Sequence, residues 1–402
     1  MASNMIIIDC DAGVDDCQAL VMALTAHARG EVTIAAITCV SGNVGVDKVV
    51  RNVRRCIAVV ALQMAVNRDS SGGNIHVNAI PVLKGCHEPL ILEDGETVAD
   101  AQFWHGRDGL GNASHAVDAG LLAAGVAAET VATFGTPDAQ HAVQGMINIC
   151  EATPGAVTIC ALGPLTNIAM ACKMSPSFSA TVRHLVFMGG TRFARGNASL
   201  TAEFNAFVDP ESLQIALRYF RGASTMVGWD LTARHGVPFE FVEQTWMGDA
   251  AGGIAGSRPA ASFLAMCSTD IIQKSCAGPW GAHGLLIPDP LAMAVALDPA
   301  SVVADSTECW ATVETSGKRT RGMVIIDYDN LFASKRRTFR AKNTTPGSEQ
   351  DDEAPPVAVS AAAAAAAATA SEDKEKKLRV VTQLNMERVQ HWLVASTATR
   401  VE

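Results

Sequence analysis

Four aspartates, Asp9, Asp11, Asp15 and Asp16, crowd into the short stretch MIIIDCDAGVDD. Carboxylates this close raise one another's pKa and repel, so the cluster is costly unless a cation or a polar ligand offsets it. A hard cation such as Ca²⁺ or Mg²⁺ takes oxygen ligands, which an acidic turn supplies together with backbone carbonyls and a water. The run D-x-D-x-x-x-D-D lacks the spacing and the terminal glutamate of an EF-hand loop. Asp15 and Asp16 stand where a helix begins, and the free N–H groups of a helix start favour negative charge. Capping of this kind explains one or two aspartates but not four. A water on a bound metal gives up a proton readily, and a neighbouring carboxylate can take it. Such a cluster suits hydrolysis without a Ser, Cys or His nucleophile, and neither a G-x-S-x-G elbow nor a Walker A loop is present.

The elements that must position this turn follow from the apolar runs. MIIID, VTIAAIT, AVTICALG, HLVFMGG and STMVGWD read as strands, with VDDCQALVMALTAHA and LTNIAMACKM as helices between them. That alternation predicts βαβ units and an α/β fold: an open, mostly parallel twisted sheet with helices on both faces. The turns DCDAG, ALGPLTN and FMGG end three of these strands. In such sheets the ligand crevice lies beyond the carboxyl ends of the strands, so the three turns should converge there.

Composition narrows the partner. The chain of 402 residues is 49% hydrophobic and 18% charged, which allows a large core, and its net charge is −10. The one dense basic cluster is Lys335-Arg336-Arg337 with Arg340, so a nucleic-acid surface is disfavoured and a small molecule is the expected partner. The eleven cysteines are scattered without a C-x-x-C pair and read as reduced core residues. The first apolar run, Met5 to Ile8, is too short for a signal peptide, and no stretch reaches membrane-spanning length, which makes the cytosol the default compartment. From 341 to 377 the sequence runs through NTTPGSEQDDEAPP, an eight-alanine block and SEDKEKK before LRVVTQLNMERVQHWL resumes as strand and helix. We therefore expect one domain over 1–402, interrupted by a low-complexity insertion at 341–377.

DCDAGVDD, HGRDGLG, LGPLTNIAMA, FMGGTRFARGNASLTAEFNAFVDPES and PDPLAMA, in this order, resemble the nucleoside hydrolase family, in its inosine-uridine-preferring branch. The resemblance implies hydrolysis of the N-glycosidic bond of ribonucleosides with one Ca²⁺ at the bottom of a pocket. It implies that Asp11, Asp16, Asp289 and the backbone carbonyl of Leu162 ligate the calcium, that Asp11 also takes the proton of the attacking water, and that Asp9 supports the cluster. Asp15, Asn197, Glu203, Asn205 and the Met188 backbone would bind the ribose. Asn43 and His105 match positions near the ribose and the base. Glu203 and Asn205 lie two apart, so on an extended segment both would face the sugar.

The sequence departs from this pattern at position 288. The branch with pyrimidine-leaning activity usually carries there a histidine that protonates the leaving base, and here the residue is Pro288. The candidate replacements are His283 as an acid and Trp280 as a stacking ring, both in PWGAHGLLIPDP, with Trp104 a further ring. The family commonly forms homodimers or homotetramers, so a homo-oligomer is expected. Two other readings are a nucleoside-binding sensor without catalysis and a hydrolase of another ribosyl conjugate, which would need a basic phosphate pocket.

Overall fold

The structure, a computed structural model, describes residues 4–67, 77–92, 97–134, 140–248, 253–278, 281–329 and 377–398. Its strands are β1 (Met5–Cys10), β2 (Thr33–Cys39), β3 (Val82–Lys84), β4 (Val157–Ala161), β5 (His184–Met188), β6 (Ala223–Val227), β7 (Val303–Val313), β8 (Val324–Asp327) and β9 (Leu378–Leu384). They form one open nine-stranded sheet in the order β3-β2-β1-β4-β5-β6-β9-β7-β8. The pairs from β3 through β9 are parallel, and β7 then joins antiparallel to both β9 and β8.

The apolar run of β1 reads as a continuous block because it is buried on both faces, as parallel strands are when helices cover each side. Ile6, Ile8 and Cys10 point into one core and Ile7 into the other. The first core is built with the helices Val14–Ala28, Val46–Val66, Pro259–Ala277, Pro288–Leu297 and Met386–Thr397, and the second with Ala142–Ala152, Thr166–Met174 and Pro210–Tyr219. Every residue of Val14–Ala28 is buried, which is why that helix shows little amphipathic contrast in the sequence.

Chain direction explains where the site must lie. From β1 the chain steps outward to β2 and β3, then returns to the other side of β1 as β4. The connections diverge between β1 and β4, and the crevice of a doubly wound sheet opens at the carboxyl ends of such a pair. All five strands expected from the sequence are present, and the C-terminal strand and helix dock as β9 and Met386–Thr397. The insertion expected at 341–377 lies outside the described residues except for Lys377. Among the described residues no helix is long and apolar enough to cross a membrane. The cysteines are free; nine are buried, whereas Cys86 is half-buried and Cys276 exposed.

Candidate active site

β1 delivers Asp9 to its end, and the turn that follows is sharp. Ala12 takes a positive φ of 40°, unfavourable for a residue with a side chain, and Gly13 follows as the N-cap of Val14–Ala28. Asp16 reaches back across this turn: its Oδ2 accepts the Gly13 N–H at 2.9 Å and its Oδ1 accepts the Asp11 N–H at 3.2 Å. Asp11 is held from the next strand's turn, where the Asn43 N–H donates to Oδ2 at 2.7 Å and Asn43 Nδ2 donates to Oδ1 at 3.1 Å. Asn43 Nδ2 also donates to Asp16 Oδ2 at 3.0 Å, so one amide bridges both carboxylates.

The glycines around Asp11 are there because nothing larger fits. A Cβ on Gly42 would lie 2.1 Å from Asp11 Oδ2, and one on Gly163 would lie 3.0 Å from Asp11 Cγ. Asp9 is engaged on the far side, its Oδ1 accepting Thr38 Oγ1 at 2.6 Å and Asn167 Nδ2 at 2.8 Å. Thr38 and Asn167 are roles that sequence reasoning missed, although both end quoted motifs.

Asp289 comes from the first turn of Pro288–Leu297, where Pro288 needs no amide hydrogen. Oxygens of Asp15, Asp16 and Asp289 all lie within 4.8 Å of one another, close enough to share one ion. Asp16 and Asp289 belong to the implied calcium set as well; the trio has Asp15 where that set has Asp11. Burial raises the carboxyls of Asp11, Asp15 and Asp289, and Asp9 is pushed up to about 7 by the same cause. Asp15 Oδ1 and Asp9 Oδ2 are buried with no hydrogen-bond partner among the described residues. A buried carboxylate oxygen left unpaired is costly, and a hard cation or a ligand hydroxyl would satisfy it.

His105 lies beside Asp15, its Nδ1 accepting the Val14 N–H at 3.0 Å. The same Nδ1 lies 3.6 Å from Asp15 Oδ1, which places the ring against the unpaired carboxylate oxygen.

The GNASLTAEFN segment is not extended as expected. Glu203 caps the short helix Phe204–Val208, accepting the N–H groups of Asn205 at 2.8 Å, Ala206 at 3.1 Å and Gly190 at 2.7 Å. The free N–H groups of a helix start claim the carboxylate, which is why the two-residue spacing does not place both side chains alike. Burial raises the Glu203 carboxyl, and these three donors oppose the rise. Asn205 Nδ2 donates to the Leu162 carbonyl at 2.6 Å and the Met188 carbonyl at 3.1 Å, drawing the ends of β4 and β5 together. Its Oδ1 is left as an acceptor. Asn197 is exposed and its Oδ1 accepts the Phe204 N–H at 2.9 Å.

His283 is exposed on the turn Gly281–His283, and no hydrogen bond or ion pair joins it to the acidic cluster among the described residues. The turn is pinned by the Val237–Leu285 bridge, and Gly284, at a φ of 84°, packs where a Cβ would meet the Val237 carbonyl at 2.2 Å. Trp280 lies outside the described residues.

The profile of the family described as inosine-uridine preferring nucleoside hydrolase matches residues 6–391. The inosine-uridine preferring nucleoside hydrolase of Leishmania major is 32% identical over 80% of this chain and 87% of its own. The pyrimidine-specific ribonucleoside hydrolase RihA of an Enterobacter strain is 32% identical over 83% of this chain and 91% of its own. Among solved structures, an inosine-guanosine nucleoside hydrolase superposes with a TM-score of 0.70 at 23% identity, covering 98% of both chains, which speaks to the fold. The chain belongs to the inosine-uridine preferring nucleoside hydrolase family and is, at that level, a ribonucleoside N-glycosidic hydrolase.

Proposed function

We propose that this chain hydrolyses purine ribonucleosides to ribose and free base with calcium in the acidic cluster, serving nucleoside salvage in the cytoplasm as a homo-oligomer. The observation that carries the reading is the meeting of Asp15, Asp16 and Asp289 oxygens within 4.8 Å at the carboxyl ends of the strands, with Asp15 Oδ1 unpartnered. The donor set is all oxygen, which fits calcium and not a soft metal. Asp16 and Asp289 would hold the ion, with Asp11 and the Leu162 carbonyl completing the set, and calcium bound there would make an adjacent water more acidic.

Asp11 accepts the proton of the attacking water on Oδ1, which the longer of its two Asn43 bonds leaves less engaged. Asn43 keeps that carboxylate aimed. Asp15 Oδ1 and Asn205 Oδ1 receive ribose hydroxyls, and the surrounding carboxylates favour the positive charge that develops at the anomeric carbon as the base departs. A site built to satisfy hydroxyls leaves buried polar groups unpaired when deoxyribose binds, so 2′-deoxyinosine should be turned over far more slowly than inosine.

Purine preference follows from Pro288, which has no proton to give. Expelling a base as an anion is costly, and purines accept a proton at N7 where pyrimidines are poorer acceptors. The names of the relatives span both base classes, so residue 288 carries this part. The test pairs metal analysis of the purified chain with ribose release from inosine and uridine. One calcium per chain and faster inosine turnover are expected; bound zinc, or uridine favoured over inosine, would contradict the corresponding half.

A further inference from the structure

The first turns of Val46–Val66 and the segment from Arg107 to His115 line an open cavity of about 340 Å³, whose walls include none of the clustered aspartates. Lys48, Arg51, Arg55 and Arg107 line it against a single carboxylate, Asp108, in a chain whose net charge is −10. Positions 48, 51 and 55 recur at helical spacing, so three of the cations share one face.

Several of these groups are already engaged. Arg55 pairs with Asp118 at 2.7 Å, and Lys48 Nζ donates to the Arg107 carbonyl at 2.6 Å. The Asp108 carboxylate accepts the N–H groups of Leu110, Asn112 and Ser114, which uses it as a loop brace. Asp47, the carboxylate that bears on Arg51, is itself paired with Lys84 at 2.6 Å. The guanidinium groups of Arg51 and Arg107 are exposed and have no hydrogen-bond or ion-pair partner among the described residues.

We propose that this cavity binds a phosphate group, clamped between the guanidinium groups of Arg51 and Arg107 with Lys48 adding a third cation. Guanidinium pairs match phosphate oxygens in a planar, two-point geometry that a lone ammonium cannot supply. The site also touches the catalytic turn. Asn52, on the cavity wall and fully buried, donates to the Ala12 carbonyl at 3.1 Å and to the Asp108 carbonyl at 2.9 Å. Bound phosphate would therefore tie the helix bearing Asn52 to the segment that carries His105.

The test is calorimetric titration of the full chain with inorganic phosphate and with ribose 5-phosphate, at an ionic strength fixed by sodium chloride. Wild type should bind saturably with one site per chain, and Arg51→Gln with Arg107→Gln should weaken binding at least tenfold while nucleoside turnover without phosphate stays unchanged. Tighter binding of ribose 5-phosphate would identify a sugar phosphate as the source, and equal binding would identify the free anion. Absence of saturable binding by either probe, or an unchanged affinity in the folded double variant, would overturn the proposal. The inorganic phosphate arm does not depend on whether the acidic cluster hydrolyses nucleosides, and loss of ribose 5-phosphate binding in the double variant separates this cavity from the ribose site.

Discussion

Asp11 is placed by what surrounds it more than by its own turn. Two Asn43 donors fix its oxygens, and Gly42 and Gly163 leave only enough room for the carboxylate. Gly42→Ala would put a methyl group 2.1 Å from Asp11 Oδ2, and the side chain is easier to move than the backbone. The expected result is a folded protein whose kcat drops roughly 10²-fold, since a displacement of this size can cost about that much. Wild-type kcat in that variant would mean that the position of Asp11 is not critical. The four clustered aspartates stood out by type and spacing, whereas Asn43, His105 and Asp289 were reached only through the family resemblance, since none has a local signal of its own. The grip of Thr38 and Asn167 on Asp9 was not legible, because it joins residues 29 and 158 positions apart. The same limit hid the use of Glu203 as a helix cap: EFNAF carries no local signal that separates a five-residue helix from an extended segment.

Elements were legible where burial writes a pattern. β1, β2, β4, β5 and β6 are short apolar runs, and Val14–Ala28 coincides with the helix expected from VDDCQALVMALTAHA. β7 and β8 escaped notice because β7 is buried at only some positions and β8 pairs with β7 alone, so neither shows a strong period. Two histidines tie elements together in a pH-dependent way. His27 Nδ1 accepts the Ile34 N–H at 3.1 Å, and His235 bonds Leu231 through Nδ1 and accepts the Leu384 N–H through Nε2 at 3.4 Å. Burial lowers both from the ordinary value of 6.5, and Arg234 adds to the effect at His235. Because the folded state then binds protons less readily than the unfolded chain, this stability is complete above about pH 6.5 and is lost as pH falls through the lowered values. The raised carboxyls of Asp9, Asp11, Asp15, Asp289 and Glu203 act in the opposite sense, stabilising the fold as pH falls. The histidine share is therefore read as a difference: on lowering pH from 7 to 5, the Tm of His27→Asn, which retains an acceptor but does not titrate there, should fall less or rise more than that of wild type. The same response in both proteins would assign the pH dependence to other groups.

At the scale of the molecule, the sheet itself indicates how the insertion can be removed. β8 ends where Asp327 pairs with Trp310, and β9 begins where Leu378 pairs with Cys309, so the two ends lie at one level on either side of β7. Two strand spacings separate them, roughly 10 Å, which residues 328–340 can span when 341–377 is excised. Folding and nucleoside turnover should survive that deletion; loss of folded protein would show that the segment contributes to the core. The order β1-β4-β5 also explains why the turns read from the sequence lie together: DCDAG, ALGPLTN and FMGG end three adjacent parallel strands. What joins them is a set of buried acids that a cation or a ligand would help to offset, and catalysis through Asp11 is the central proposal. The direct measurement is ribose release from inosine by wild type and by Asp11→Asn, with circular dichroism to verify the fold. Wild type should release ribose and free base in equal amounts, and the variant should be slower by roughly 10² to 10⁴ while remaining folded. Near-normal turnover in Asp11→Asn, or no ribose from wild type on any purine or pyrimidine ribonucleoside, would contradict it.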